Sequence, residues 1–147
     1  MRRFVLIVAL IALAAALSVP GCGGDDEATI TKAELIKKGD AICKKADKTQ
    51  GDDYIAYARK SGDPGTTESN VSKFVFPPVV EQTEELEALG VPEGDEEKVD
   101  AIIAGIEEAL KKSEAVLGKN PENFEAPFEE VSKLAADYGF EACSEIY

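Results

Sequence analysis

From position 31 onward, apolar residues recur at alternating steps of three and four, the spacing that gathers side chains on one face of a helix. Leu35, Gly39, Ile42, Cys43 and Ala46 begin the series, and Tyr54, Ile55, Tyr57 and Ala58 resume it beyond Gly51-Asp52-Asp53. This predicts a first helix over 32–60 with a break near 51. Thr31-Lys32-Ala33-Glu34 at its start reads as a capping box, in which hydroxyl and carboxylate each accept from a backbone N–H of the first turn. Gly39 costs about 1 kcal/mol against Ala inside a helix, so its place on the apolar face points to a close approach by a neighbouring element. After a turn-rich stretch, Ser61 to Asn70 with Asp63-Pro64-Gly65 at its tightest point, a second helix carries Val75, Val79, Gln82, Leu86 and Leu89. Pro77-Pro78 interrupts it. An interior proline removes a backbone hydrogen bond at about 3 kcal/mol, so the helix either kinks there or starts afresh with a proline in its first turn.

Gly90-Val91-Pro92-Glu93-Gly94 separates this helix from the clearest pattern in the chain. Val99, Ile103, Ile106, Leu110, Ser113 and Leu117 form a seam that Ile102 and Ala109 widen. Asp95-Glu96-Glu97 at its start and Lys111-Lys112 in its later part complement the helix dipole. Gly118 and Asn120-Pro121 stop it. A fourth helix, predicted over 127–138, buries Phe128, Val131, Leu134, Ala135 and Tyr138. Gly139 suits a left-handed cap, with Phe140 as its hydrophobic contact. Phe74-Val75-Phe76 is strand-like but too short and ended by proline. Short connections between amphipathic helices favour antiparallel neighbours. The expectation is an all-α domain over 31–147, an antiparallel four-helix bundle with a proline-interrupted second helix.

The start of the chain has a different grammar. Met1-Arg2-Arg3 is a positive cap, and the apolar run from Phe4 to Val19 is 16 residues, short of the roughly 20 that a spanning helix needs. Charged start, apolar run and small residue before a cut are the parts of a secretory signal. The run ends in Val19-Pro20-Gly21-Cys22, which resembles the lipobox of bacterial lipoproteins, although Ala or Ser is commoner than Pro20 and Leu commoner than Val19. That resemblance implies cleavage after residue 21 and a segment over 22–30 made of acylated Cys22 and a short polar tether, 23–30. An ordinary signal peptide would instead leave Cys22 as a stray thiol. Eight residues of tether reach at most about 28 Å, so the domain would stand close to the membrane surface.

With Cys22 given to lipid, Cys43 and Cys143 remain as an even pair in an exported, oxidising setting. They lack the Cys-x-x-Cys spacing of a redox pair, and a structural disulfide is expected. Gly39-Asp40-Ala41-Ile42-Cys43, Leu86-Glu87-Ala88-Leu89-Gly90-Val91-Pro92 and Tyr138-Gly139-Phe140-Glu141-Ala142-Cys143 together resemble small helical lipoproteins of actinobacteria. The resemblance covers about 31–147, supports bundle and disulfide, and implies no activity.

Composition narrows the chemistry. Among 147 residues, 29 are acidic, 16 basic and none is His, for a formal charge of -13 and 44% hydrophobic residues. Removing 1–21 takes away Arg2 and Arg3 but no acid, so the exported chain is more acidic still. Such a surface disfavours nucleic acid, which needs cationic side chains to release its counterions. Lack of His removes the usual general base, zinc ligand and haem ligand. Neither a Gly-rich phosphate loop nor a triad pattern stands in for it, so no catalytic residue, metal or cofactor is expected. Glu93, Asp95, Glu96 and Asp100 crowd a helix start, where the dipole is reason enough for acids.

Two weaker features concern binding. Between Thr31 and Gln50 six Lys face three acids, whereas between Glu81 and Glu130 four Lys face sixteen acids. Lys37, Lys44 and Lys48, with Lys38 and Lys45 beside them, form a basic stripe on the back of the first helix. It either meets an anionic envelope surface or is a solvated helix back. Tyr54, Tyr57, Phe74 and Phe76 flank the loop and the prolines, where they either line a small pocket or fill core. The sequence thus favours a non-enzymatic lipoprotein on the extracytoplasmic face of the cell membrane, with an unidentified envelope protein or small ligand as partner. The alternative is a lipoprotein that binds a small solute or cation.

Overall fold

In a computed structural model, which describes residues 29–62 and 67–145, the chain forms five α-helices. They are α1 (Lys32–Ser61), α2 (Glu68–Phe74), α3 (Phe76–Glu87), α4 (Glu96–Leu117) and α5 (Glu129–Tyr138), with 3-10 turns at Pro121–Asn123, Ala126–Phe128 and Ala142–Ser144. No strand occurs among the described residues. The signal, the lipobox with Cys22, most of the tether and Asp63-Pro64-Gly65 lie outside them.

Local chemistry accounts for the element ends. The capping box is present: Thr31 N–H donates to Glu34 Oε2 at 3.0 Å, and Glu34 N–H donates to Thr31 Oγ1 at 3.3 Å. The expected break near 51 is absent. Lys48 pairs with Asp52 across that turn, Tyr54 and Tyr57 dock on Phe74 beyond it, and α1 runs on until Gly62 turns left-handed at φ 72°. Packing across the weak point outweighs the propensity cost of one glycine.

Of the two outcomes left open at the prolines, the fresh start is the one observed. α2 ends at Phe74 with Val75 as its cap, and α3 carries Pro77 and Pro78 in its first turn, where N–H groups lack an intrahelical partner anyway. Val75 N–H still donates to Val71 O at 3.0 Å and Val79 N–H to Val75 O at 3.4 Å, so hydrogen bonding continues through the junction. The last α-helix starts later than expected, because Pro127 belongs to a 3-10 turn ahead of Glu129. It ends as expected: Gly139 (φ 118°) donates to Ala136 O at 3.0 Å, and Phe140 N–H reaches Ala135 O at 3.0 Å, the bond pair of a Schellman motif.

α1 packs on α3 and on the last 3-10 turn, while α4 packs on α5. The main core joins Leu35, Val79, Ile106, Phe128, Val131 and Tyr138, and a smaller cluster joins Val71, Phe76, Leu117 and Phe124. Gly39 admits a ring rather than a helix backbone: a Cβ there would lie 2.5 Å from Phe140 Cε1. The end of the chain is thereby folded back onto α1. Asp40 completes the docking, its Oδ1 accepting from the N–H groups of Glu141 (3.1 Å), Ala142 (2.9 Å) and Cys143 (3.3 Å).

Candidate functional site

Cys43 and Cys143, 100 residues apart, are joined in a disulfide with Cα atoms 5.2 Å apart. Helical spacing puts Cys43 one turn beyond Gly39, and the Gly139 cap with Asp40's hydrogen bonds brings Cys143 to it. Both cysteines are buried.

The four aromatic candidates divide. Tyr54 and Tyr57, about one turn apart on α1, both meet Phe74, with ring centroids 6.1 Å and 4.9 Å away. Phe76 turns to the smaller core with Val71, Leu117 and Phe124. Tyr54 and Phe74 flank a cleft of about 240 Å³, whose wall also includes Phe124, Gln50, Asn70 and Glu125. Tyr57 and Phe76 take no part in it. Lys73 Nζ covers the outer side of the pair, 5.3 Å from the Tyr57 centroid and 5.1 Å from that of Phe74. An apolar floor with amide and carboxylate groups on its edge suits a small amphiphilic solute, although typical small-molecule pockets are larger, about 300–1,000 Å³. Glu125 and Phe124 carry no sequence signal for this role, because the 3-10 turns that bring them here are not periodic.

Lys37, Lys38, Lys44, Lys45 and Lys48 are all exposed. Lys48 pairs with Asp52, and Lys45 Nζ lies 2.5 Å from Glu85 Oε1 and 3.8 Å from Glu81 Oε1 on α3. Those hydrogen bonds raise both lysines above the ordinary value, through Glu85 for Lys45 and Asp52 for Lys48. The stripe thus gives two of its charges to carboxylates of the fold. Lys45 also forms one wall of a groove of about 160 Å³ between α1 and α3, with Gln82 opposite. Gln82 sits in the apolar seam of its helix, a polar residue where the pattern calls for an apolar one, and that mismatch was the available signal.

At the acidic helix start, Asp95 works within the fold. Its Oδ1 lies 3.1 Å from Lys98 Nζ, and its Oδ2 accepts from the Tyr138 hydroxyl at 3.0 Å. The Lys98 hydrogen bond, helped by Tyr138, holds the Asp95 carboxyl below its ordinary value. Burial foremost, then Asp95, pushes the Tyr138 hydroxyl up to about 12. Lys32 Nζ covers the Tyr138 ring at 4.2 Å. Among the described residues no three Cys, Asp or Glu side chains are grouped to hold a metal ion. Compared with known proteins, the chain matches no family model, no curated protein and no solved structure.

Proposed function

We propose that the protein is a non-enzymatic lipoprotein of the cell envelope, exported through residues 1–21 and anchored by acylated Cys22. It would display an antiparallel four-helix bundle close to the outer face of the membrane. The observation that carries this reading is the Cys43–Cys143 disulfide. Structural disulfides belong to oxidising compartments, and this one uses both cysteines of the helical domain. Cys22, at the end of the apolar run, is the remaining cysteine of the three, and acylation gives it a role. Two or more acyl chains provide stable anchoring where one is marginal. Acidic side chains of the later helices supply the surface offered to a partner. The test is metabolic labelling with a fatty-acid probe in cells that make the full chain. Cys22→Ser should abolish labelling; label that survives the substitution overturns the anchor.

A second reading, a lipoprotein that binds a small solute, is favoured by the cleft beside Tyr54 and Phe74 with Glu125 on its edge. A small aromatic cation should raise the melting temperature of the full chain in detergent, and Tyr54→Ala should remove the rise. No shift beyond that of sodium chloride at equal ionic strength rejects this reading.

A further inference from the structure

The groove between α1 and α3 offers a ligand only carboxylates that already face Lys45, because the unpartnered amide oxygen of Gln82 is sealed from it. A second groove, between α3 and α4, is built differently. It encloses about 370 Å³. Leu86 on α3, Val91 in the connection, and Val99 and Ile103 on α4 form its floor, with Val91 and Ile103 half-buried. Glu87, Asp100 and Glu107 stand exposed along its edges. The apolar surface continues beyond the groove. Val80, seven positions before Glu87 and so on the same stripe of α3, is 45% exposed. On the far side of α4, exposed Ala104 also lines a hollow of about 200 Å³ against α5, where Leu134 is 37% exposed. An apolar floor inside a charged rim is the arrangement of a surface that receives an amphipathic helix.

Charge selects the occupant. Lys98, Lys111 and Lys112, the lysines of α4, pair with Asp95, Glu107 and Glu108. Among the described residues no ion pair takes up Glu87 or Asp100. One stands on each wall, so both sides of the groove present a carboxylate with no cation of the fold against it. A second copy of the chain seated on this face would bring the same carboxylates up to these, and like charges across an interface oppose binding. A metal ion would seek several oxygen ligands at once, and no group of three or more carboxylates is assembled for one among the described residues. From Val99 to Glu107 α4 rises about 12 Å at 1.5 Å per residue, room for about two turns of a docked helix.

We propose, building on the acidic surface assigned above to a partner, that the groove between α3 and α4 docks a cationic amphipathic helix of another protein. Its apolar side chains cover Val91 and Ile103, and its Lys or Arg side chains meet Glu87 and Asp100.

Two-dimensional amide NMR of the full chain in a zwitterionic detergent, at constant ionic strength, tests the groove. The probe is a Leu/Ala/Lys peptide of about 15 residues, the length at which an isolated helix begins to hold. Resonances of 86–91 and 99–107 should shift saturably, and the same peptide with Glu in place of Lys should leave them unmoved. No saturable shift there, or equal shifts with the two peptides, overturns the site. Shifts confined to another acidic face keep an acidic docking surface and reject this groove, whereas silence everywhere rejects both. Glu87→Gln with Asp100→Asn, both exposed, should weaken the Lys peptide by about threefold or more, the effect of exposed ion pairs. Asp53→Asn with Glu122→Gln, also exposed, removes the same charge elsewhere and should weaken it less. Equal weakening by the two pairs means attraction to net charge alone and overturns the groove. Dilution of the chain without peptide should leave 86–91 and 99–107 fixed; movement assigns the groove to a second copy and overturns the cationic partner.

Discussion

A methyl group on Gly39 would stand 2.5 Å from Phe140 Cε1 and 3.1 Å from Leu86 Cδ2, closer than van der Waals contact allows. Gly39→Ala would gain about 1 kcal/mol of helix propensity and lose about 1–3 kcal/mol to overpacking. The net expectation is a loss of about 1 kcal/mol in urea unfolding, recovered when Phe140→Leu is added; a more stable single variant would contradict the contact. Tyr138 and Asp95 make a second residue-scale prediction. With its pKa raised from 10.0 to about 12, Tyr138 favours the folded state as the neutral hydroxyl. That contribution is complete below pH 10 and disappears as pH rises through about 12. Asp95 has the opposite sense: lowered from 3.8, it contributes above that pH and loses its effect as pH falls through the folded value. Ultraviolet titration of tyrosinate should show Tyr138 ionising near pH 12 in the native protein, and Asp95→Asn should move it earlier. An unchanged titration would break the pairing. Neither contact was legible in the sequence, because Gly39 and Phe140, or Asp95 and Tyr138, meet only after the chain has turned back on itself.

Helices were the most legible part of the chain, because each records its own period. The α4 seam and the Gly139 cap follow directly from residue spacing. The break expected near 51 is absent because the weakness there is local, one glycine beside two aspartates, whereas the Tyr57–Phe74 contact, at 4.9 Å between centroids, holds the later turns of α1. Prolines at 77 and 78 limited the choice to two outcomes, and the position of Val71 and Phe76 in the smaller core accompanies the fresh start. Asp40 shows the same limit. On α1 it is one more polar residue, yet its carboxylate holds three successive N–H groups of the C-terminal turn. Asp40→Ala should cost about 1.5–3 kcal/mol, the range for hydrogen bonds to a charged group, whereas Asp40→Asn keeps an acceptor and should cost less. Hydrogen exchange at Ala142 is the direct readout. Unchanged protection in Asp40→Ala would mean that the disulfide alone seats the turn.

At the scale of the whole molecule, one covalent bond spans a sequence separation of 100 residues. Closing a loop of that length stabilises a fold by about 4–5 kcal/mol through the entropy of the unfolded chain, comparable to the total of about 5–15 kcal/mol for a small domain. Replacing Cys43 and Cys143 together by Ser should therefore lower the urea midpoint sharply or prevent folding; an unchanged midpoint would rule out this role. The pairing was legible because the helical domain holds two cysteines, and so was the acidic balance of 29 acids against 16 bases. The candidate sites were legible only in part. Tyr54 and Phe74 share a cleft, but Tyr57 and Phe76 lie elsewhere, and Gln82 stood in the seam as an unexplained polar residue. The sequence by itself determined helix periodicity, caps, charge and the cysteine count, since each depends on neighbours within a turn or on composition alone. Tertiary structure decided which aromatics share a cleft, which lysines meet carboxylates and which amide is buried without a partner. Those outcomes depend on the relative placement of helices, set by the packing of α1 on α3 and α4 on α5 together with the returning tail, and no single helix carries that information.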